Sequence, residues 1–272
     1  MSSALPSTAP AVVDPPSHAP PRRLAPARLA TLRATGLLDG ASSPALDRLT
    51  ALAARLLGVP TTLVTLVDAD RQVGASVGGA GETAADPRLS HSLCRLVVES
   101  GETLVVDDAA EHPLVCDEPA VHELGVRAYL GAPLRTGDGH VLGSLCAVDG
   151  AARAWTAEQR ALLEDLAGAA AAELELRATT RRLAESTAAF EALLDGTTEL
   201  VCTLDAEGRV TYANRAAQAA LGVSEGGGRL PTLRELLPPS HRAAAREIGD
   251  AAARGAREVG VEVVLLGAGG RR

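Results

Sequence analysis

Lysine is absent from this 272-residue chain, and aromatic residues make up only 1% of it. The 26 basic side chains are therefore all arginines, and 34 acidic residues outnumber them to give a net charge of −8. Proteins that bind nucleic acids need a basic surface against the phosphates, and single-strand binders also need aromatic platforms on which bases stack. We therefore expect no nucleic-acid partner.

Cysteines and long apolar runs are also scarce. The four cysteines (Cys94, Cys116, Cys146 and Cys202) include no Cys-x-x-Cys pair, and a chain of this size does not need disulfides for stability. No apolar run reaches the roughly 18 residues of a membrane span, and the N-terminus lacks the pattern of a signal peptide. We expect reduced thiols, a cytoplasmic location and no membrane partner.

The sequence that remains predicts an α+β fold after a disordered Pro/Ala-rich tail at residues 1–23. Ser43 and Pro44 open an amphipathic helix, and β-branched strands follow. Asp138 and Gly139 form a hairpin turn before a last strand that is apolar at both alternations. A strand of this kind predicts a sheet covered on both faces, with a ligand cavity between the sheet and the loops.

A long helix is predicted next, from a capping box at Thr156–Gln159 to about Leu194. Every seventh residue along it is apolar: Leu162, Ala169, Leu176, Leu183 and Phe190. This imperfect seam favours a two-stranded coiled coil, and hence a homodimer through residues 157–194. The alternative is an amphipathic helix that lies on its own domain.

Several stretches resemble a bacterial GAF domain over residues 24–176: RLATLRATGLLD, TTLVTLVDADRQ, LSHSLCRLVV, GVRAYLGAPLRTGDGHVLGSLCAVD and WTAEQRALLEDLA. A second unit, with LVCTLDAEGRVTYANRAAQAALG, resembles the first part of a PAS domain over residues 190–272. Residues 177–189 then form a helical linker. The resemblance implies a GAF-type antiparallel sheet flanked by helices, a long linker helix, and an incomplete PAS-type α+β domain.

In such proteins GAF and PAS units drive a C-terminal output domain. The resemblance implies a histidine kinase first, with a PP2C-type phosphatase or a diguanylate cyclase as alternatives, and no such catalytic domain is recognised within these residues. Two further hypotheses stay open: a stand-alone protein-interaction module, and a thiol-based methionine sulfoxide reductase. The reductase would need its GAF cysteines to converge and one of them to have a lowered pKa.

Five residues of the GAF unit are the predicted contacts of an unknown small-molecule ligand: Ser90, His91, Cys94, Asp107 and Tyr129. They belong to a segment rich in Ser, His, Cys and Asp that lacks a recognisable catalytic arrangement, so we predict sensing and assign no catalytic residue. In the PAS unit, the resemblance implies that Asn214 holds the turn between strand and helix.

We leave the cofactor unassigned and expect no bilin, haem or flavin. The residues after His91 do not match the phospho-acceptor box of histidine kinases. Arg95 follows Cys94 at the position where bilin-binding GAF domains usually have His. The cyclic-nucleotide signature of phosphodiesterase GAF domains includes a lysine, so this chain, which has none, does not carry it. His241 stands alone as a haem ligand, and Cys202 lies outside any flavin motif.

No metal site is predicted either. His112, Cys116 and His122 are ligand types, but their spacing fits no closed zinc site, and we expect them to be solvated in an acidic loop.

Overall fold

The computed structural model describes residues 22–79, 93–221 and 231–243. The chain divides into two compact units, Met1–Arg182 and Leu183–Arg272. The described residues do not include the predicted tail up to residue 21, Ser90 or His91. None of the described helices is long and apolar enough to cross a membrane.

The first unit is built on a five-stranded antiparallel sheet with the strand order β2-β1-β5-β4-β3. Its strands are β1 (Thr61–Val67), β2 (Gln72–Gly79), β3 (Leu104–Val106), β4 (Ala128–Arg135) and β5 (Val141–Asp149). All of β1 and all but the last residue of β5 are buried, as expected of strands packed on both faces. The predicted α+β class is confirmed.

One face of the sheet is covered by α1 (Pro26–Ala34), α2 (Pro44–Leu57) and the first part of the long helix α5 (Ala157–Asp195). The Ser43 hydroxyl accepts the Leu46 N–H and so begins α2, and Gly58 ends this helix with a φ of 62°. A residue without Cβ adopts that conformation at little cost. The core between these helices and the sheet is mainly leucine and alanine.

Arg28 on α1 is buried among backbone carbonyls at the end of β1 and the start of β5. Its guanidinium donates to the carbonyls of Val141 (2.6 Å), Arg23 (2.7 Å), Leu142 (3.2 Å) and Val67. Burial lowers the pKa of Arg28 from 12.5 to about 10, against the pull of two nearby carboxylates. The side chain therefore stays charged at neutral pH and fastens α1 to the sheet.

The other face is covered by α3 (Leu93–Ser100), α4 (Pro119–His122) and the segment between β3 and β4. These elements form a second core of small and branched apolar side chains, which also contains two cysteines and a tyrosine. Both faces are thus closed by protein, and the sheet lies between two separate cores.

Helix α5 runs over Ala157–Asp195, 39 residues. The predicted capping box is present: the Thr156 hydroxyl accepts the Gln159 N–H (3.2 Å), and the Gln159 side-chain oxygen accepts the Thr156 N–H (3.0 Å). The helix therefore begins where the sequence predicted, and it ends one residue beyond the predicted position.

Two faces of α5 have different environments. One is buried and consists of Leu163, Ala167, Ala170, Ala171, Leu174 and Ala178. The predicted seam is exposed from its middle onwards, and the side chains of Leu176, Leu183 and Phe190 are 64%, 68% and 61% exposed. At about 100° per residue the two sets lie on nearly opposite sides of the helix. The helix does lie on its own domain: Leu162, the first residue of the seam, packs partly against the core, and the seam from Leu176 onward faces away from that contact.

The second unit consists of a strand, a hairpin turn, a second strand and helices. A two-stranded antiparallel sheet joins β6 (Cys202–Leu204) and β7 (Val210–Ala213), and α6 (Arg215–Leu221) and α7 (Leu233–Leu236) follow. The Asp205 carboxylate accepts two backbone N–H groups of the hairpin. Gly208 takes the positive φ (73°) that the turn needs.

Candidate sensory site

Buried polar side chains line the sheet face that is turned toward α3. Thr65 on β1 pairs with Ser144 on β5, and Cys146 follows two residues later on the same side. Tyr129 on β4 has the same orientation, and Cys94 reaches the group from the first turn of α3. These five residues are termed the thiol cluster.

The distances in the thiol cluster are those of close contact. Cys94 Sγ lies 3.9 Å from Cys146 Sγ and 3.5 Å from Tyr129 Oη, which is 3.5 Å from Ser144 Oγ. The Thr65 hydroxyl is buried and has no hydrogen-bond partner at normal distance among the residues described. All five residues are at most 1% exposed. The cluster is therefore a polar group within an apolar core.

The cluster holds one acidic thiol and one that keeps its proton. Burial raises the pKa of Cys94, but hydrogen bonds from Cys146, Ser144 and Tyr129 outweigh burial and lower it from 9.0 to about 6. The pKa of Cys146 is raised well above 9.0, first by its hydrogen bond to Cys94 and then by burial. The pair therefore loses its first proton easily and its second with difficulty.

Gly131 gives the ring of Tyr129 the space that it occupies. A Cβ at this position would lie 2.3 Å from the Tyr129 hydroxyl oxygen. Since real Cβ atoms do not approach other atoms so closely, any other residue at 131 displaces the tyrosine. The glycine on β4 therefore helps to position the hydroxyl beside Cys94.

Of the predicted ligand contacts, Cys94 and Tyr129 come together in the thiol cluster, whereas Ser90 and His91 lie outside the described residues. Asp107 is placed elsewhere, exposed at the end of β3. The assignment of these five residues to a ligand stays a prediction.

Sequence reasoning missed two members of the cluster, Thr65 and Ser144, and considered Cys146 only under the reductase hypothesis. The two-residue period of the strands does place Ser144 and Cys146 on one face of β5. It could have selected them as neighbours of any group that covers that face.

Asp107 instead holds the segment that leads into α5. Its carboxylate accepts the Trp155 backbone N–H (3.0 Å), and its carbonyl accepts the Arg153 N–H (2.9 Å). The Trp155 indole N–H donates to the Val106 carbonyl (3.1 Å), and the Arg153 guanidinium donates to carbonyls at the end of α2. Asp107, Arg153 and Trp155, termed the linker brace, connect β3 and α2 to the start of α5.

Asn214, between β7 and α6, is buried and uses every hydrogen-bonding position of its side-chain amide group. Its Oδ1 accepts the N–H groups of Val201 (3.0 Å) and Ala217 (3.1 Å). Its Nδ2 donates to the carbonyls of Leu194 and Glu199, both at 2.9 Å. The side chain thereby ties the last turn of α5 to the turn that begins α6.

The loop before α4 holds the third cysteine that the reductase hypothesis requires. Cys116 is half-buried there, and its backbone N–H donates to the His112 carbonyl (3.0 Å). The structure thus brings Cys94 and Cys146 together and places Cys116 in a different element. Across the described ranges, no group of three or more His, Cys, Asp or Glu side chains is positioned to hold a metal ion.

Family models match both units of the chain. Residues 43–174 match the GAF domain, and residues 194–272 match the PAS fold. The chain is a GAF domain followed by a PAS-fold segment. The GAF match contains the whole thiol cluster, and it includes the buried face of α5 as far as Leu174. The predicted resemblance is confirmed, and the chain is a sensory module of the signalling type.

The chain is similar to individual proteins over part of its length. A cyclic di-GMP phosphodiesterase of Pseudomonas aeruginosa is 32% identical over 161 residues, which is 58% of this chain and 27% of the relative. The chain thus spans about a quarter of the length of that curated relative. The second GAF domain of DevS from Mycobacterium smegmatis is 29% identical and covers 50% of this chain and 95% of its own (TM-score 0.39). The blue-light-absorbing GAF domain of PixJ from Thermosynechococcus elongatus is 20% identical and covers 60% and 96% (TM-score 0.43).

Proposed function

We propose that this GAF–PAS chain is the input region of a bacterial signal-transduction protein and works in the cytoplasm as a homodimer. A small molecule or a redox change at the thiol cluster alters the position of α5, and α5 carries the change toward an output domain. The observation that carries the proposal is the exposed apolar seam of α5.

The seam has the spacing of a helix-pairing surface. Leu176, Leu183 and Phe190 recur every seven residues and are all more than half exposed. Apolar side chains in a continuous row on a helix favour burial against a partner. Since the opposite face of α5 already packs on the GAF unit, a second copy of α5 can cover the seam without displacing that contact.

A groove beside the seam extends the same surface onto the GAF unit. It has a volume of about 360 Å³ and lies between α2 and α5. Its lining is mostly apolar: Ala45, Arg48, Leu49, Ala169, Ala172, Glu173 and Leu176. The groove supports pairing through this side of α5, because it gives the side chains of a second helix a concave surface to enter.

The linker brace supplies the connection between the cluster and the helix. β3 follows α3, which carries Cys94, and the end of β3 is bonded to Trp155 just before α5. A shift of α3 against the sheet therefore changes the position of the first turn of α5, through β3 and the segment that contains Trp155.

For the output domain we propose a histidine kinase, as the GAF–PAS arrangement implies, with a cyclic di-GMP enzyme as the second candidate. The second candidate is favoured by the relative of Pseudomonas aeruginosa, which is named as a cyclic di-GMP phosphodiesterase. The coding sequence around these residues tests this part: a phospho-acceptor helix with a nucleotide-binding domain supports the first, and a cyclase or phosphodiesterase domain supports the second.

The dimer is tested by analytical ultracentrifugation of the full chain at tens of micromolar. We expect a dimer for the wild type and a monomer for Leu183→Glu, which places a charge in the seam. Ala188→Glu is the matched control, because Ala188 is exposed on the other side of the same helix and should leave the dimer intact. A monomeric wild type, or a dimer that survives Leu183→Glu, would refute the seam as the interface.

A further inference from the structure

The two buried cysteines are the part of the thiol cluster that a ligand-binding role does not explain. They are 52 residues apart in the chain, and α3 and β5 bring their sulfurs to 3.9 Å. Neither sulfur is bonded to the other in this structure, since both cysteines are free thiols. A disulfide needs a sulfur–sulfur distance of about 2.05 Å, so the two atoms are separated by less than 2 Å of additional approach.

We infer that Cys94 and Cys146 close into a reversible disulfide when the chain meets a hydroperoxide, and that this bond is the input which the GAF unit senses. The second half of the inference rests on the function proposed above, whereas the first half is a chemical property of the pair.

The reaction balances with the groups present and one hydroperoxide. The Cys94 thiolate attacks the terminal oxygen of the hydroperoxide, the O–O bond breaks, and the departing alkoxide takes a proton to become the alcohol. Cys94 is then a sulfenic acid. The Cys146 sulfur attacks the Cys94 sulfur, the S–O bond breaks, and the hydroxide leaves as water with the proton of the Cys146 thiol. Two thiols are oxidised by two electrons, and the hydroperoxide is reduced to alcohol and water.

The surroundings assign the two roles. Cys94 is the attacking sulfur because the Cys146 thiol and the Tyr129 hydroxyl lie within hydrogen-bonding distance of its sulfur and lower its pKa. Cys146 keeps its proton until the second step, because its pKa is raised. The hydroxyls of Tyr129 and Ser144 lie beside this pair and can donate to the developing charge.

The bond has a mechanical consequence because both sulfurs are buried in close-packed surroundings. Closing the remaining gap draws α3 toward β5, since a packed interior leaves little room for the side chains to move alone. Access of the oxidant requires α3, a helix of eight residues, to open transiently. The rate of oxidation should therefore follow the opening of α3.

The test uses the full chain with Cys116→Ser and Cys202→Ser, which leaves only the buried pair. After treatment with hydrogen peroxide or cumene hydroperoxide, non-reducing digestion and mass spectrometry should find the Cys94 and Cys146 peptides linked, and dithiothreitol should release them. In the same background Cys146→Ala should give no link, and Cys94 should instead form a dimedone adduct through its sulfenic acid. Thiols that stay reduced, or a Cys94 sulfenic acid that persists beside an intact Cys146, would overturn the disulfide.

The fluorescence of Trp155, at the linker brace, separates the chemistry from the signalling role. We expect its emission to change when the disulfide forms, to return with dithiothreitol, and to stay unchanged in the Cys146→Ala variant. A linked peptide without any fluorescence change would overturn the pair as the input. A linked peptide in a chain that is monomeric by ultracentrifugation would refute the proposed dimer and leave the disulfide standing.

Discussion

Replacement of Arg28 by methionine should strongly destabilise the GAF unit. The guanidinium satisfies four backbone carbonyls, from Arg23, Val67, Val141 and Leu142, at a buried position. Methionine has a similar length but no donor, so the four acceptors lose their partner. The loss also frees α1 from the end of β1 and the start of β5.

The magnitude follows from the number of orphaned acceptors. Leaving a buried acceptor unsatisfied costs about 1–3 kcal/mol, but the removal of a buried charge recovers part of that cost. We therefore expect the free energy of unfolding to fall by about 3–5 kcal/mol, as for other buried charged groups whose removal leaves partners unpaired. For a unit of this size, roughly 2–4 °C per kcal/mol lowers the melting temperature by about 6–20 °C.

Urea unfolding of the full chain, followed by Trp155 fluorescence, measures this change in the GAF unit. Arg33→Met is the matched control, since Arg33 is on the same helix, is 63% exposed and makes only a 3.9 Å ion pair with Asp68. It should cost less than about 1 kcal/mol. Arg28→Lys should fall between the two, because an ammonium group has three donors. Equal stabilities of Arg28→Met and Arg33→Met would refute the reasoning.

Three further predictions concern other sites. Asn214→Ala should lower the stability of the PAS unit by about 3 kcal/mol, because four hydrogen bonds are lost, and hydrogen exchange should become faster in that unit alone. Thr211→Ala, on the exposed surface of β7, is the control and should change the exchange little. Equal exchange in both variants would contradict this prediction. Gly143→Ala should break the pairing of β1 with β5, because its Cβ would lie 1.9 Å from the Thr65 carbonyl oxygen; a free energy of unfolding within about 1 kcal/mol of wild type argues against it. Thiolate absorbance should rise as the pH passes about 6 in wild type and not in Cys94→Ser. Because folding lowers the pKa of Cys94 from 9.0 to about 6, ionisation of this thiol stabilises the folded state. This stabilisation is fully present above pH 9.0 and is lost as the pH falls through about 6.

Local patterns were sufficient for the elements. The apolar residues at both alternations of β5 predicted a strand packed on both sides, and the Thr156–Gln159 pair predicted the first turn of α5. These features depend on neighbours in the chain, so the residues themselves reveal them. The seam of α5 could also be identified from the sequence, because a seven-residue period is visible without the rest of the fold.

The contacts of the candidate site depend on long-range packing and could not be obtained this way. That Cys94 meets Cys146 depends on how α3 crosses the sheet, which no local pattern states. Nothing in the sequence distinguishes Arg28 from the other arginines. Only its position among backbone carbonyls in the folded protein does so. Asp107 was predicted as a ligand contact from a segment rich in Ser, His, Cys and Asp, and that composition does not reveal its hydrogen bond to the backbone of Trp155.

The buried face and the exposed row of α5 share no residue, so the two can diverge independently. Substitutions along the exposed row leave the alanine-rich contact with the GAF sheet unchanged, so a lineage can alter what this helix recognises while its domain core stays constant. Insertions behave differently. Seven added residues after Ala178 keep the exposed row nearly in phase, whereas two added residues turn every later position by about 200°. We therefore expect natural length variation in this helix to come in whole heptads.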